Sequence, residues 1–358
     1  HVYIGTEAND GIKIVSVDDL DNPTLVNTIT DVDNSHNIHI DADGYLYIVG
    51  ADTYDVWIYD LADPANPELV GTWTEEYLHD IEVYNNKIYG AAIYTGYFYI
   101  IDVEDKSNPY TLVSYNTGMA DISTHDCAVT FDEQYLITGD ETLSGHIKIW
   151  DISDYDNINM VSEYFTPDWE THTSHNLYIQ ESNPDMLIIS WYADGTRFVD
   201  ISDPENPIEV GYYDTTEIEG LYVGNWGTYV DLPSENIISS DSESGLYILK
   251  FGGLSIIHNP LEDQPFGELD INAEVYSVGS EINSIEAELC IADNCELYTM
   301  NLLSENNYGV QIDLGNSPNV IEYAIHASNS NGEEARYPQE GYFMFTYGDL
   351  DDIYIYDF

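Results

Sequence analysis

Phe198-Val199-Asp200-Ile201-Ser202-Asp203-Pro204-Glu205-Asn206-Pro207 is the stretch on which the reading of this 358-residue chain turns. The apolar run that it closes is too short for a helix and rich in β-formers, which marks a buried strand. Proline cannot donate to a ladder and asparagine readily closes a turn on its own backbone, so the strand must end there. Ile208-Glu209-Val210-Gly211-Tyr212-Tyr213 then reads as the next strand.

Working outward, the same punctuation returns at Asp63-Pro64-Ala65-Asn66-Pro67 and Asp105-Lys106-Ser107-Asn108-Pro109. Weaker copies stand at Asp19-Leu20-Asp21-Asn22-Pro23 and Asp154-Tyr155-Asp156-Asn157-Ile158. The equivalent asparagines Asn22, Asn66, Asn108, Asn157 and Asn206 are 44, 42, 49 and 49 residues apart. A period of that length belongs to four-stranded propeller blades. A sixth copy begins at Gly245-Leu246-Tyr247-Ile248-Leu249 without the Asn-Pro turn. In blades two to five a histidine-bearing inner strand precedes the third-strand aspartate by 23 to 26 residues; counting back that far from Ser16 runs off the chain, so blade one is expected to lack its inner strand here. The fold expected is all-β, a six-bladed β-propeller over residues 1–258 followed by a small β-sandwich over 259–348.

The residues that repeat resemble the LVIVD-repeat propellers of cell-surface proteins in the choice-of-anchor B family. The resemblance covers about the first 250 residues and is carried by Phe198-Val199-Asp200-Ile201-Ser202-Asp203-Pro204, Ser35-His36-Asn37, Ser174-His175-Asn176-Leu177-Tyr178, Gly139-Asp140-Glu141 and Asn225-Trp226-Gly227-Thr228-Tyr229. It implies a six-bladed extracellular propeller in a secreted or surface-anchored protein, and no settled activity.

From about Pro260 the repeat stops, and alternating strands such as Ile285-Glu286-Ala287-Glu288-Leu289-Cys290 and Ile321-Glu322-Tyr323-Ala324-Ile325-His326-Ala327 continue between Asn, Gly and Ser turns. They read as a β-sandwich, similar to the immunoglobulin-like or fibronectin-like modules that follow propellers in secreted bacterial proteins. The strand-like tail 349–358 is either the stub of a further domain or a strand that adds to a neighbouring molecule, a route to self-assembly into filaments. Cys290 and Cys295 flank a short turn whose ends suit a disulfide, compatible with an oxidising compartment, whereas Cys127 sits among apolar neighbours as a core residue.

Acidic residues number 67 against 7 Lys and Arg, a formal charge of -60. Such a field repels phosphates and anionic lipid headgroups and excludes nucleic-acid and membrane-surface roles. No segment approaches the roughly 18 apolar residues of a membrane span, which excludes direct insertion by a helix. The acidity suits solubility in a salt- or calcium-rich extracellular medium, or a cationic partner.

Four histidines, His36, His79, His125 and His175, recur at spacings of 43, 46 and 50, each followed by Asn or Asp, and blade six offers Asn225. Inner strands line a propeller's channel, so these imidazoles are expected to converge as an axial ring able to ligate one copper, zinc or iron ion, with Asp80, Asp126 and Glu141 as supporting oxygen donors. The same periodicity also follows if each histidine braces its own blade. His39 and His172 read as surface or rim residues, and His146, His258 and His326 show no pattern. Asp41-Ala42-Asp43-Gly44 contains part of a calcium loop without its later ligands, which also fits a solvated hairpin. No phosphate loop or nucleophile elbow is present. Function is therefore expected as a noncatalytic scaffold or assembly subunit with protein or surface-glycan partners, or as a metal-binding, redox-type enzyme, at an extracellular or cell-surface location.

Overall fold

The computed structural model describes residues 1–348 other than 119–122, 251–252, 278–279, 293, 305 and 339–340, so the tail 349–358 lies outside the described residues. All regular structure among the described residues is β, and no described helix is long and apolar enough to cross a membrane. The chain forms two compact units, His1–Leu249 and Lys250–Phe358.

The first unit is six antiparallel meanders in chain order. The first sheet has three strands, Val2–Ile4, Ile12–Ser16 and Thr24–Ile29. The second comprises Asn37–Ile40, Tyr45–Val49, Val56–Asp60 and Glu68–Trp73, and the third Asp80–Tyr84, Lys87–Ala92, Tyr97–Asp102 and Tyr110–Asn116. The fourth comprises Thr124–Val129, Tyr135–Asp140, Ile147–Asp151 and Asn159–Tyr164, and the fifth Leu177–Gln180, Asn183–Ser190, Thr196–Asp200 and Ile208–Tyr213. The sixth again has three strands, Asn225–Tyr229, Ile237–Asp241 and Gly245–Leu249.

The repeated turn has a hydrogen-bond explanation. In all five copies the asparagine N–H donates to the carbonyl of the aspartate three residues earlier, at Asp19, Asp63, Asp105, Asp154 and Asp203. In three of them the asparagine amide also reaches that aspartate's carboxylate, at 2.9 Å for Asn22, 3.0 Å for Asn66 and 2.9 Å for Asn206. The strand-ending Asp60, Asp102, Asp151 and Asp200 each accept the N–H two residues on, at 2.7, 3.0, 2.9 and 2.8 Å. Four of the five copies thus pair a strand-stopping carboxylate with a turn-closing amide, and in the first the Ser16 hydroxyl takes the carboxylate's place, accepting the Asp18 N–H at 3.4 Å. A bulge falls at the equivalent place in every outer pairing, between Ile14/Val15, Ile58/Tyr59, Ile100/Ile101, Ile149/Trp150 and Phe198/Val199.

The apolar runs are continuous because both faces of the inner sheets are covered. Leu46 and Ile48 of the second sheet pack with Ile12 and Ile14 of the first, while Tyr47 and Val49, on the opposite face, pack with Ile88 and Ile101 of the third. Phe98 and Ile100 meet Leu136 and Trp150, and Ile137 and Ile149 meet Leu187 and Val199, so a separate core fills each junction from the first sheet to the fifth. The fifth and sixth sheets meet differently, through hydroxyl pairs: Ser190 with Thr228 at 2.8 Å and Thr196 with Ser239 at 2.9 Å.

Register places Tyr229, Ile238 and Ile248 on one face of the sixth sheet, and Val2, Val15 and Leu25 on one face of the first. Both faces are open to solvent: Ile248 is 69% exposed, Leu246 66% and Leu25 61%.

In the second unit, Leu254–Ile257 pairs with Glu268–Ser277, although the sequence reading placed it with the propeller. These strands, with Asn307–Asp313 and Asn301–Ser304, form one sheet. The other holds Asn294–Thr299, Ile282–Ile291, Asn319–Asn329 and Glu334–Tyr337, with Phe343–Tyr347 also pairing to Asn319–Asn329. Leu269, Ile271 and Val275 of the first sheet share one core with Ile285, Leu289, Ile321 and Tyr323 of the second. Cys290 and Cys295 are opposite one another in register and are bridged, with an S–S distance of 1.98 Å.

Candidate metal centre

The four histidines stand where each first strand of sheets two to five begins. His36, His79 and His175 donate their backbone N–H to Val49, Ala91 and Ser190 of the adjoining strand, at 3.0, 2.8 and 2.9 Å. His125 occupies the same place inside the bulge between Thr124 and Asp126. Gly50 makes the first of these approaches possible: its φ is +66°, and a Cβ there would sit 2.2 Å from the Cβ of His36.

Because the starts are equivalent, the side chains form a row. Ring centroids are 3.8 Å apart for His36 and His79, 4.4 Å for His79 and His125, and 4.4 Å for His125 and His175. The row ends on Tyr192 and Trp226, 4.7 and 4.8 Å from His175. Asn225, the residue expected to continue it, is instead buried and donates to Thr196 and Ser239.

Two acids join the row. Asp80 Oδ2 lies 3.0 Å from His79 Nδ1 and 3.5 Å from His125 Nε2, and Asn37 donates to its other oxygen. Glu141 Oε2 lies 3.6 Å from His125 Nε2, and its Oε1, 4.0 Å from His175 Nε2, accepts the Tyr192 hydroxyl at 2.5 Å. The potential ligand atoms of His36, His79, Asp80 and His125 all lie within 4.8 Å of one another, as do those of His125, Glu141 and His175. Asp126 belongs to neither group. Its carboxylate accepts the N–H of Cys127 and that of Leu177 in the next sheet, both at 2.8 Å, and so links sheets four and five.

Burial sets the charge states. It pushes the His125 imidazole well below its usual pKa, helped by the neighbouring histidines and opposed by Asp80. It lowers His175 to about 4, against the hydrogen bond to the Trp226 carbonyl. Both rings are neutral at pH 7 and present the lone pairs that metal ions require. Burial alone would raise Asp80, but the His79 hydrogen bond and the attraction of the imidazoles around it outweigh it and hold its carboxyl below the usual range. Glu141 is raised by burial, opposed by Tyr192. Asp126 is raised well above the carboxylate range by burial and by the Asp80 charge.

The Nδ1 environments of the four imidazoles differ. His36 Nδ1 meets Glu7 at 2.8 Å, His79 Nδ1 meets Asp80, His175 Nδ1 contacts the Trp226 carbonyl, and His125 Nδ1 is buried without a partner. Glu7 and Tyr192 were not singled out from the sequence; Glu7 reaches the row from a loop of the first sheet and Tyr192 from the loop between the second and third strands of the fifth.

The remaining candidates lie elsewhere. His172, expected at the rim, is buried between Asp194 at 2.9 Å and Glu219 at 3.1 Å. His146 meets Glu163, while His258 and His326 belong to the second unit. The Asp41 carboxylate is satisfied by the N–H groups of Asp43 and Tyr45 and the Tyr47 hydroxyl, at 3.0, 2.9 and 2.8 Å, the pattern of a hairpin turn. Burial raises the Cys127 thiol well above its usual value, which leaves it unreactive.

Residues 77–117 and 196–215 match the LVIVD repeat. The first LVIVD match spans the third sheet, with His79 and Asp80; the second spans the outer strands of the fifth. No curated protein matches the chain. Among solved structures, a protein from Lactobacillus plantarum superposes with a TM-score of 0.56 at 12% identity, over 77% of this chain and 91% of its own. The β-propeller domain of Cps50 (Swd1) from Myceliophteria thermophila superposes at 0.51 and 13% identity, over 69% of this chain and 81% of its own. Sqt1 from Chaetomium thermophilum gives 0.51 and 14%, over 69% and 65%. These likenesses concern the fold, which is propeller-type.

Proposed function

We propose that the first unit is a six-bladed propeller of a secreted or cell-surface protein, of the choice-of-anchor B kind, whose function is to bind a first-row transition metal at the blade axis. The observation that carries this reading is the convergence of His36, His79 and His125 with Asp80, all ligand atoms lying within 4.8 Å. Imidazole nitrogens with a single carboxylate suit copper, zinc or iron rather than calcium or magnesium. The Cys290–Cys295 bridge supports an oxidising location, and the second unit fits an immunoglobulin-like module. The test is metal analysis of the full chain after reconstitution with Zn2+, Cu2+ or Fe2+ and gel filtration. At least one ion per chain is expected, with loss of more than nine-tenths of it in the His79→Ala/His125→Ala double variant. A wild-type chain that takes up none of the three overturns the reading.

A second reading, a scaffold or assembly subunit, is favoured by the solvent-facing apolar sides of the first and sixth sheets, since surfaces of that kind mark association sites.

A further inference from the structure

We infer that this centre holds two metal ions rather than one, the first on His36, His79 and Asp80 and the second on His125, His175 and Glu141. The inference rests on the metal-binding reading and adds a second site to it. Imidazole nitrogens and carboxylate oxygens bind such ions at about 2.0–2.2 Å, so two ligands of one ion are separated by at most about 4.4 Å. The six candidate ligands fall into two groups that overlap only at His125, each spanning up to 4.8 Å, and no group contains all six. The His36 and His125 rings are already 6.4 Å apart, with His175 a further step along the row. One ion therefore cannot gather the row.

The carboxylates are distributed to match. Asp80 lies at the His36–His79 end and Glu141 at the His175 end, with His125 Nε2 between them at 3.5 and 3.6 Å. Each half is a pair of imidazoles with one carboxylate, the donor set that leaves coordination positions open on a first-row divalent ion. None of the described Lys and Arg ion pairs involves Asp80 or Glu141. A single cation at the Asp80 end leaves the Glu141 carboxylate without a cation and the lone pair of His175 Nε2 unused, and a second ion engages both. Tyr192 is a positioning residue for the second site: its hydroxyl holds Oε1 of Glu141 and leaves Oε2 facing His125.

The test is isothermal titration of the metal-free full chain with Zn2+, Cu2+ and, under anaerobic conditions, Fe2+ in separate runs, with circular dichroism to verify folding. Two equivalents are expected with at least one of these ions, falling to one in Glu141→Gln and in His175→Ala. In Tyr192→Phe both equivalents are retained, with the weaker one bound about 10- to 100-fold less tightly, the usual effect of losing a group that orients a ligand. A wild-type stoichiometry of one with every ion overturns the second site and leaves the metal-binding reading standing. A stoichiometry of zero overturns both. Two equivalents that persist in Glu141→Gln and His175→Ala overturn the ligand assignment.

Discussion

Replacing His125 with leucine separates a ligand from a brace, because the two roles predict opposite signs in the metal-free protein. His125 is 1% exposed, its Nδ1 has no hydrogen-bond partner, and burial opposes its protonation. A buried polar atom left unsatisfied costs about 1–3 kcal/mol, and leucine fills a similar volume without that cost. Metal-free His125→Leu is therefore expected to be as stable as the parent or up to ~3 kcal/mol more stable. Metal reverses the order. An ion at a hundred times its dissociation constant stabilises the native state by about 2.7 kcal/mol, which for a unit of this size corresponds to a melting shift of roughly 5–11 °C. Calorimetric melting with EDTA and with Zn2+ should show that shift for each ion the parent binds, and a shift smaller by one ion in His125→Leu, which has lost a ligand of the second site. Destabilisation of metal-free His125→Leu by more than about 2 kcal/mol would refute the argument, since this is the size expected when a satisfied, well-packed core group is removed.

Three further outcomes follow from the geometry. Asp203→Ala removes the carboxylate that accepts the Asn206 amide, and urea unfolding should register a loss of about 0.5–1.5 kcal/mol. Burial lowers the pKa of His172, but its hydrogen bonds and charge interactions with Asp194 and Glu219 outweigh that and raise it on folding. The associated stability is full below the unfolded value of about 6.5 and is lost as pH rises through the folded value. The parent should thus lose more stability than His172→Asn between about pH 6 and pH 8, and equal losses would exclude this contribution. Leu246→Lys combined with Ile248→Lys charges the open face of the sixth sheet, so the melting temperature should hardly change while any concentration-dependent mass seen by light scattering falls.

The parts of the fold that could be read in advance are those fixed by local chemistry. Asp203 and Asn206 make their hydrogen bonds within four residues, so their recurrence reports the same turn wherever it appears. The histidine row was legible for a related reason: equivalent registers in stacked sheets place equivalent side chains side by side. Sequence could not decide between Asp80 and Asp126, which follow their histidines identically. The outcome depends on whether the carboxylate turns to the imidazoles or to the Leu177 N–H of the neighbouring sheet. Tyr192 and Glu7 escaped notice because their partners lie 51 and 29 residues away, and no spacing announces a contact made by a loop. The exposed faces of the first and sixth sheets were equally hidden, since Leu25 and Ile248 carry the same apolar signal as their buried counterparts.

The junction between the fifth and sixth sheets rests chiefly on polar contacts, the hydroxyl pairs Ser190–Thr228 and Thr196–Ser239 with Asn225 and Gln180, beside the rings of His175, Tyr192 and Trp226, and no described apolar cluster crosses it. Hydroxyl pairs release little heat-capacity change when water replaces them, unlike the greasy seams elsewhere in the unit. That makes the sixth sheet the natural unlatching point, a segment able to come away and return while the other five keep their order. Its amide protons should be the first to be replaced by deuterium, and a protease that nicks the folded unit should find this end before any other.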